Sequence, residues 1–108
     1  MTVTNGTAKL VRDRIPEIIE KSGKTPRIEI LDEERFLTSL LEKVVEEAEE
    51  LRAAEPEQVA EEISDVLEVL LAVAGFHRIE WTAIEEARVR KLELRGGFSK
   101  RIFLLSTE

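Results

Sequence analysis

An all-α fold in which two acid-bearing central helices face each other is the architecture this sequence predicts, and three observations predict it. The first is a pair of apolar stripes at helical spacing: Leu37, Leu40, Leu41, Val44, Ala48 and Leu51, then Val59, Ile63, Val66, Val69, Leu70 and Val73. Each set falls along one side of a wheel turned by about 100° per residue. The second is composition, with 43% hydrophobic and 36% charged residues in a chain of 108, a mix that suits amphipathic helices with solvated outer faces and not disorder. The third is that acids intrude on the stripes. Glu47 lies on the edge of the first with Glu50 beside it, and Glu62 points between Val66 and Val69 of the second.

Taken in order, residues 1–8 read as a loose tail, and the whole of 1–108 as a single domain, since no repeat, low-complexity tract or linker interrupts it. Lys9 to Pro16 leads into a short helix over Glu17–Lys21, with Pro16 in its first turn and Gly23 as its stop. Thr25–Leu31 contains Pro26 and the alternation Arg27-Ile28-Glu29-Ile30, an extended connector or one short strand. Asp32 is placed to cap a helix from Glu33 to about Ala53, although Arg35 stands where a capping box wants an acid. Pro56 closes the connection, and a second long helix runs over Glu57–Ala74 with Gly75 as its end. Its second half, Val66–Ala74, is so apolar that most of its circumference should be buried. Thr82, with Glu85 in the capping-box position, opens a last helix to Leu94, which Arg95-Gly96-Gly97-Phe98 breaks. The tail Ser99–Glu108 carries Ile102-Phe103-Leu104-Leu105 and is expected to pack on the domain or on a partner chain.

Composition narrows the chemistry. With no cysteine, disulfides, thiol nucleophiles and zinc-thiolate sites are excluded together. No stretch approaches the ~18 apolar residues of a membrane span, and Met1–Ala8 has no apolar leader core, so a soluble, cytoplasmic protein that engages no membrane is expected. A formal net charge of −7 argues against binding a nucleic-acid polymer. The ends are nevertheless basic, with Lys9, Arg12 and Arg14 in front and Arg88, Arg90, Lys91, Arg95, Lys100 and Arg101 behind. A chain of this size buries only a modest core, so a homodimer or homotetramer is expected.

The acids call for a physical reason. An ionised carboxylate buried without a partner costs several kcal/mol or takes up a proton. Glu47 and Glu50 are spaced i,i+3, as are Glu62 and Asp65, so each pair projects from one side of its helix. Four converging acids repel unless a cation lies between them, and a hard divalent ion with oxygen ligands, Mg²⁺ or Mn²⁺, fits that need. Glu49 and Glu61 point away from their stripes and read as solvated.

Glu46-Glu47-x-x-Glu50 followed by Glu62-x-x-Asp65 resembles the metal-binding pattern of the MazG-like all-α nucleoside triphosphate pyrophosphohydrolases. The opening Lys9-Leu10-Val11-Arg12-Asp13-Arg14-Ile15-Pro16 and the closing Arg95-Gly96-Gly97-Phe98-x-Lys100-Arg101 look like the house-cleaning branch related to phosphoribosyl-ATP pyrophosphohydrolase. Together these stretches cover most of the chain. The resemblance implies an antiparallel helical bundle, Mg²⁺ dependence, and cleavage of the α–β phosphoanhydride of a nucleotide substrate to a monophosphate and pyrophosphate. Carried over by residue, it makes Glu47, Glu50, Glu62 and Asp65 the metal ligands. It gives Glu46 either a second metal or the proton of the attacking water. Lys9, Arg12, Arg14, Arg95 and Lys100, in or beside the terminal motifs, become candidates to hold the substrate.

Each reading has a plainer rival. Glu62 can be neutralised by a buried Arg12 or Arg14 instead of a metal, and Lys43 can attract Glu47 on an ordinary helix face. Any basic residue taken singly can be surface charge. His77 has no nucleophile to serve and reads as non-catalytic, while Phe76 and Trp81 read as core or interface aromatics. Two further functions compete with house-cleaning: the phosphoribosyl-ATP step of histidine biosynthesis, and a non-catalytic helical module whose tail docks a partner.

Overall fold

A computed structural model of the chain, which describes residues 8–108, contains α1 (Ile15–Lys21), α2 (Glu33–Ala53), α3 (Val59–Phe76) and α4 (Trp81–Arg95). A 3-10 turn at Pro56–Gln58 precedes α3, and among the described residues there is no strand. The chain is therefore all-α, and Thr25–Leu31 is an irregular connector. The loose tail expected at the start lies, for residues 1–7, outside the described residues.

Local chemistry explains where α2 begins and ends. Asp32 has extended backbone, and its carboxylate accepts the Arg35 N–H at 2.9 Å, satisfying one of the orphan donors of the first turn. Glu33 and Glu34 follow it at the positive end of the helix dipole. The Arg35 side chain reaches back to both oxygens of Glu29, at 3.2 and 3.3 Å, and ties the connector to the helix. At the other end Ala54 and Glu55 turn extended ahead of Pro56, as the residue before a proline prefers.

Two helix ends differ from the sequence expectation. Gly75 lies inside α3, which ends at Phe76. The stop is made by Arg78, which adopts a left-handed φ of 57° and lets the Ile79 N–H reach the Ala74 carbonyl at 2.9 Å. That is the hydrogen-bond pattern glycine usually supplies at a helix end. The start of α4 is also two residues earlier than expected: Glu80 takes the cap position with no side-chain bond, and Thr82 is already helical. Its C-terminus does stop at the predicted break, with Gly96 at a φ of 79°.

Tertiary packing is concentrated between α2 and α3. Phe36 near the start of α2 meets Phe76 at the end of α3, with ring centroids 6.0 Å apart. Leu40, only 3% exposed, and Ala74 form the most deeply buried apolar pair. Along the seam lie Phe36, Leu40, Val44, Glu47 and Leu51 from α2 and Val59, Glu62, Val66, Val69 and Val73 from α3, all buried or half-buried. This is narrower than the predicted stripes. Leu41 and Ala48 on α2, and Ile63 and Leu70 on α3, are exposed. Among the described residues the apolar side chains of the C-terminal tail stay exposed, Phe98 at 97%. The molecule is correspondingly long, 59 × 34 × 26 Å with a radius of gyration of 18.0 Å, against about 13 Å for a compact domain of this length.

Two substitutions are expected to move stability in opposite directions in urea unfolding monitored by circular dichroism. Leu40→Ala, at the best-buried position, should lower it by about 2–4 kcal/mol through lost transfer energy and a cavity. For Arg78→Gly, relief of the left-handed strain, about 1–2 kcal/mol, exceeds the added backbone entropy of glycine, about 0.5–1 kcal/mol. A net gain of roughly 0.5–1 kcal/mol should result.

Candidate metal centre

The seam between α2 and α3 carries the acids. On α2 the i,i+3 spacing sets Glu47 and Glu50 one turn apart, with Glu46 adjoining. On α3 Glu62 and Asp65 repeat that spacing and face them. One carboxylate oxygen from each of Glu47, Glu62 and Asp65 lies within 4.8 Å of the others, and the same holds for Glu46, Glu47 and Glu50. Glu47 belongs to both groups. It is 9% exposed, making it the buried charged residue among the described ones. The sequence placed it on the edge of its stripe. In the fold α3 lies on that edge and turns it into the seam.

Glu62 sits where its wheel position predicts, half-buried beneath the N-terminal turns of α3. One of its oxygens, Oε2, is cut off from solvent and has no hydrogen-bond partner. Neither arginine considered as its neutraliser reaches it. Arg12 donates to Asp65 Oδ1 at 2.8 Å, and Arg14 forks onto Glu17 Oε2 at 2.6 and 3.1 Å.

Three cations do border the cluster, and they divide it unevenly. Lys43 Nζ lies 3.0 Å from Glu46 Oε1 and 3.7 Å from Glu47 Oε1, with its side chain largely covered. Lys9 Nζ approaches the same Glu46 oxygen at 3.6 Å. A hollow between Ala8–Leu10 and Ser39, Glu42 and Lys43 opens beside this pair. Lys43 is the residue that sequence reasoning undervalues. Its i,i+3 and i,i+4 spacing to Glu46 and Glu47 is visible in the sequence, but only the fold shows that it serves the interior of the site.

These surroundings separate the acids chemically. Burial pushes the Glu62 carboxyl up, and the neighbouring charges of Glu50, Asp65 and Glu61 push it further. Glu47 is raised by burial and by Glu50, with Lys43 opposing and Asp65 and Glu46 adding to the rise. For Glu46 burial also acts upward, but it is outweighed by the hydrogen bond and charge of Lys43 together with Lys9, so its pKa is lowered. Glu46 is thus held as a carboxylate by lysines, whereas at Glu47 burial and Glu50 outweigh Lys43, and Glu62 resists ionisation with no positive neighbour paired to it. A hard cation would offset that repulsion, and the all-oxygen group of Glu47, Glu62 and Asp65 suits Mg²⁺ or Mn²⁺, with the exposed Glu50 joined to it through Glu47.

Of the predicted substrate-binding residues, the fold brings Lys9 and Arg12 to the cluster. Arg14 is engaged with Glu17 at the start of α1. Arg95 ends α4 and Lys100 lies in the exposed tail; among the described residues neither forms an ion pair. His77 caps the end of α3 and stacks edge-on against Phe76 at 5.2 Å, away from any nucleophile.

No protein-family model and no solved structure matches the chain. An uncharacterized protein of Mycolicibacterium smegmatis (strain ATCC 700084 / mc(2)155) is 49% identical to it over 53 residues, which are 49% of this chain and 54% of that protein. The match thus spans about half the length of each.

The raised pKa of Glu62 makes a signed prediction for the metal-free protein. A carboxyl whose folded-state pKa lies above its unfolded value contributes stability that is fully present below the ordinary carboxylate range and is lost as pH rises through the folded value. Glu62→Gln keeps the shape without the charge. In chelator, its melting temperature should therefore exceed that of the wild type by a margin that widens from pH 4 to pH 7. A constant or shrinking margin would mean that Glu62 ionises freely in the fold.

Proposed function

We propose that the chain is a Mg²⁺-dependent nucleotide pyrophosphohydrolase built on a MazG-like antiparallel bundle, and that it cleaves a nucleoside triphosphate between its α and β phosphates, in the manner of enzymes that clear noncanonical nucleotides. The observation that carries this reading is the solvent-inaccessible, unpartnered Oε2 of Glu62 beside the clustered oxygens of Glu47 and Asp65. Simple surface acids do not place an oxygen out of reach of both water and donors. The facing of Glu47 by Glu62 and of Phe36 by Phe76 supports the bundle geometry.

In this reading Glu47, Glu50, Glu62 and Asp65 hold the metal. Bound there, Mg²⁺ or Mn²⁺ offsets the charge of the triphosphate and lowers the pKa of a coordinated water. Glu46 stands outside that set, kept ionised by Lys43 and Lys9, and it accepts the proton of the attacking water. The new P–O bond forms at the α phosphorus while the bond to the bridging oxygen breaks, and the electron pair leaves with pyrophosphate. Arg12 and Lys9 border the acids on the N-terminal segment and supply positive charge to the phosphates. No protein nucleophile is required, because positioning and electrostatics dominate phosphoryl transfer.

Pyrophosphate release from a panel of canonical, noncanonical and phosphoribosyl nucleotides, with Mg²⁺, Mn²⁺ or chelator, tests the activity and separates house-cleaning from the histidine-pathway step. Release should require the divalent ion and fall by at least about 100-fold in Glu62→Gln, with helical content unchanged. Metal binding to the folded state alone should also raise the melting temperature of the wild type in millimolar Mg²⁺. Full activity in Glu62→Gln would remove the metal cage from the mechanism. No thermal shift and no pyrophosphate from any nucleotide would leave the non-catalytic helical module as the better account.

A further inference from the structure

We infer that the seam holds one divalent ion and that the ammonium of Lys43 stands where a second ion would bind, so that Lys43 sets the metal stoichiometry of the centre. The inference rests on the metal reading given above and deepens it. Its starting point is that the seam carries two groups of carboxylates. Glu47, Glu62 and Asp65 bring three oxygens within 4.8 Å of one another, and so do Glu46, Glu47 and Glu50. Two such groups sharing one carboxylate are what a pair of divalent ions about 3.5–4 Å apart would use. Counted as acids alone, the seam offers ligands for two ions.

The two groups differ in the positive charge that the chain itself brings to them. Lys43 Nζ lies 3.0 Å from Glu46 Oε1 and 3.7 Å from Glu47 Oε1, and Lys9 Nζ comes within 3.6 Å of the same Glu46 oxygen. The Lys43 side chain is only 16% exposed. Its i,i+3 and i,i+4 offsets to the two glutamates keep the ammonium beside them whenever α2 is formed. A Mg²⁺ ion bound to Glu46 would sit about 2.1 Å from its oxygen, inside the space that both ammonium groups border, and would meet each of them as a like charge. In the other group, Arg12 reaches Asp65 Oδ1 from an exposed position. Among the described residues no lysine or arginine pairs with Glu62, whose Oε2 is shut off from solvent without a donor. The uncompensated negative charge therefore lies with Glu47, Glu62 and Asp65.

An ammonium suits the place of a second ion. It is a compact point charge with three donors and no acceptor, so it bridges Glu46 and Glu47 as a cation would. It differs from a metal in carrying one charge instead of two and in having no open coordination position for a water or a phosphate oxygen. The consequence falls on Glu46, for which the residue pattern allows either a second metal or the proton of the attacking water. With Lys43 and Lys9 both on its Oε1, Glu46 keeps its carboxylate off the metal. The ion is confined to the side of Glu47 that faces α3, where Glu62 and Asp65 complete the group.

Mn²⁺ binding to the full chain without nucleotide tests this, with equilibrium dialysis for stoichiometry, electron paramagnetic resonance for geometry and circular dichroism to establish that each variant is helical. The wild type should bind one ion per chain and give the spectrum of an isolated Mn²⁺. Lys43→Met, which keeps an unbranched side chain and removes the charge, should take up a second ion and show the spin coupling of two ions about 3.5–4 Å apart. Lys43→Arg should return the count to one, and Glu46→Gln should leave it at one. Two coupled ions in the wild type, the loss of an ion in Glu46→Gln, or a single ion in a helical Lys43→Met would each overturn the inference and leave the metal reading standing. If Lys43→Met loses its helices, the wild-type and Glu46→Gln counts decide. A wild type that binds no Mn²⁺ would remove the metal cage and this inference with it, whereas a wild type that binds one ion but releases no pyrophosphate would touch only the proposed activity.

Discussion

The seam between α2 and α3 has to reconcile two opposed demands, and most of the structure follows from how it does so. Apolar residues from Phe36 to Leu51 and from Val59 to Val73 drive the helices together through the area they remove from water. The same contact carries Glu47 and Glu62 out of water with them. Burying one unpaired carboxylate costs several kcal/mol, and two near each other cost more. In an ordinary helical pair such positions would hold leucine. Retaining acids there costs stability, and under the proposed function the return is the capacity to bind a cation.

The cations of the chain are distributed so that this tension is only partly relieved. Lys43 and Lys9 converge on Glu46, and Arg12 on Asp65, at the rim of the cluster. Glu62 has none of them. Glu46 is therefore held ionised by its lysines, while Glu47 and Glu62 carry raised pKa values. A single cluster of acids is divided in this way into a lysine-paired Glu46 and the less well compensated Glu47 and Glu62. The division follows from the i,i+3 reach of Lys43 and from where the described N-terminal residues Lys9 and Arg12 meet the helical pair.

The other side has the complementary problem. With Leu40 and Ala74 as its most deeply buried apolar residues, the chain falls short of the core that a domain of 108 residues ordinarily builds. The bare rows of α2 and α3, the separate course of α4 and the tail beyond Gly96 are aspects of that one shortfall. A seam rich in acids cannot supply the missing burial, so the remaining apolar side chains stay exposed among the described residues.

Sequence alone determined the features that depend on short-range chemistry. The helical class, the bounds of α2, the Asp32 cap, the break at Gly96 and the inward aim of Glu62 all follow from periodicity or from hydrogen bonds within a few residues. Features that depend on which neighbour occupies a helix face were beyond it. A wheel gives the direction of a side chain relative to its own helix, but the predicted stripes were broad enough to admit several seams. Tertiary contact selected the seam that buries Glu47 and exposes Leu41, Ile63 and Leu70. It also paired Arg12 with Asp65 and left the tail bare. The end of α3 moved past Gly75 because the Arg78 backbone takes the left-handed turn itself, a conformation that composition does not announce for arginine.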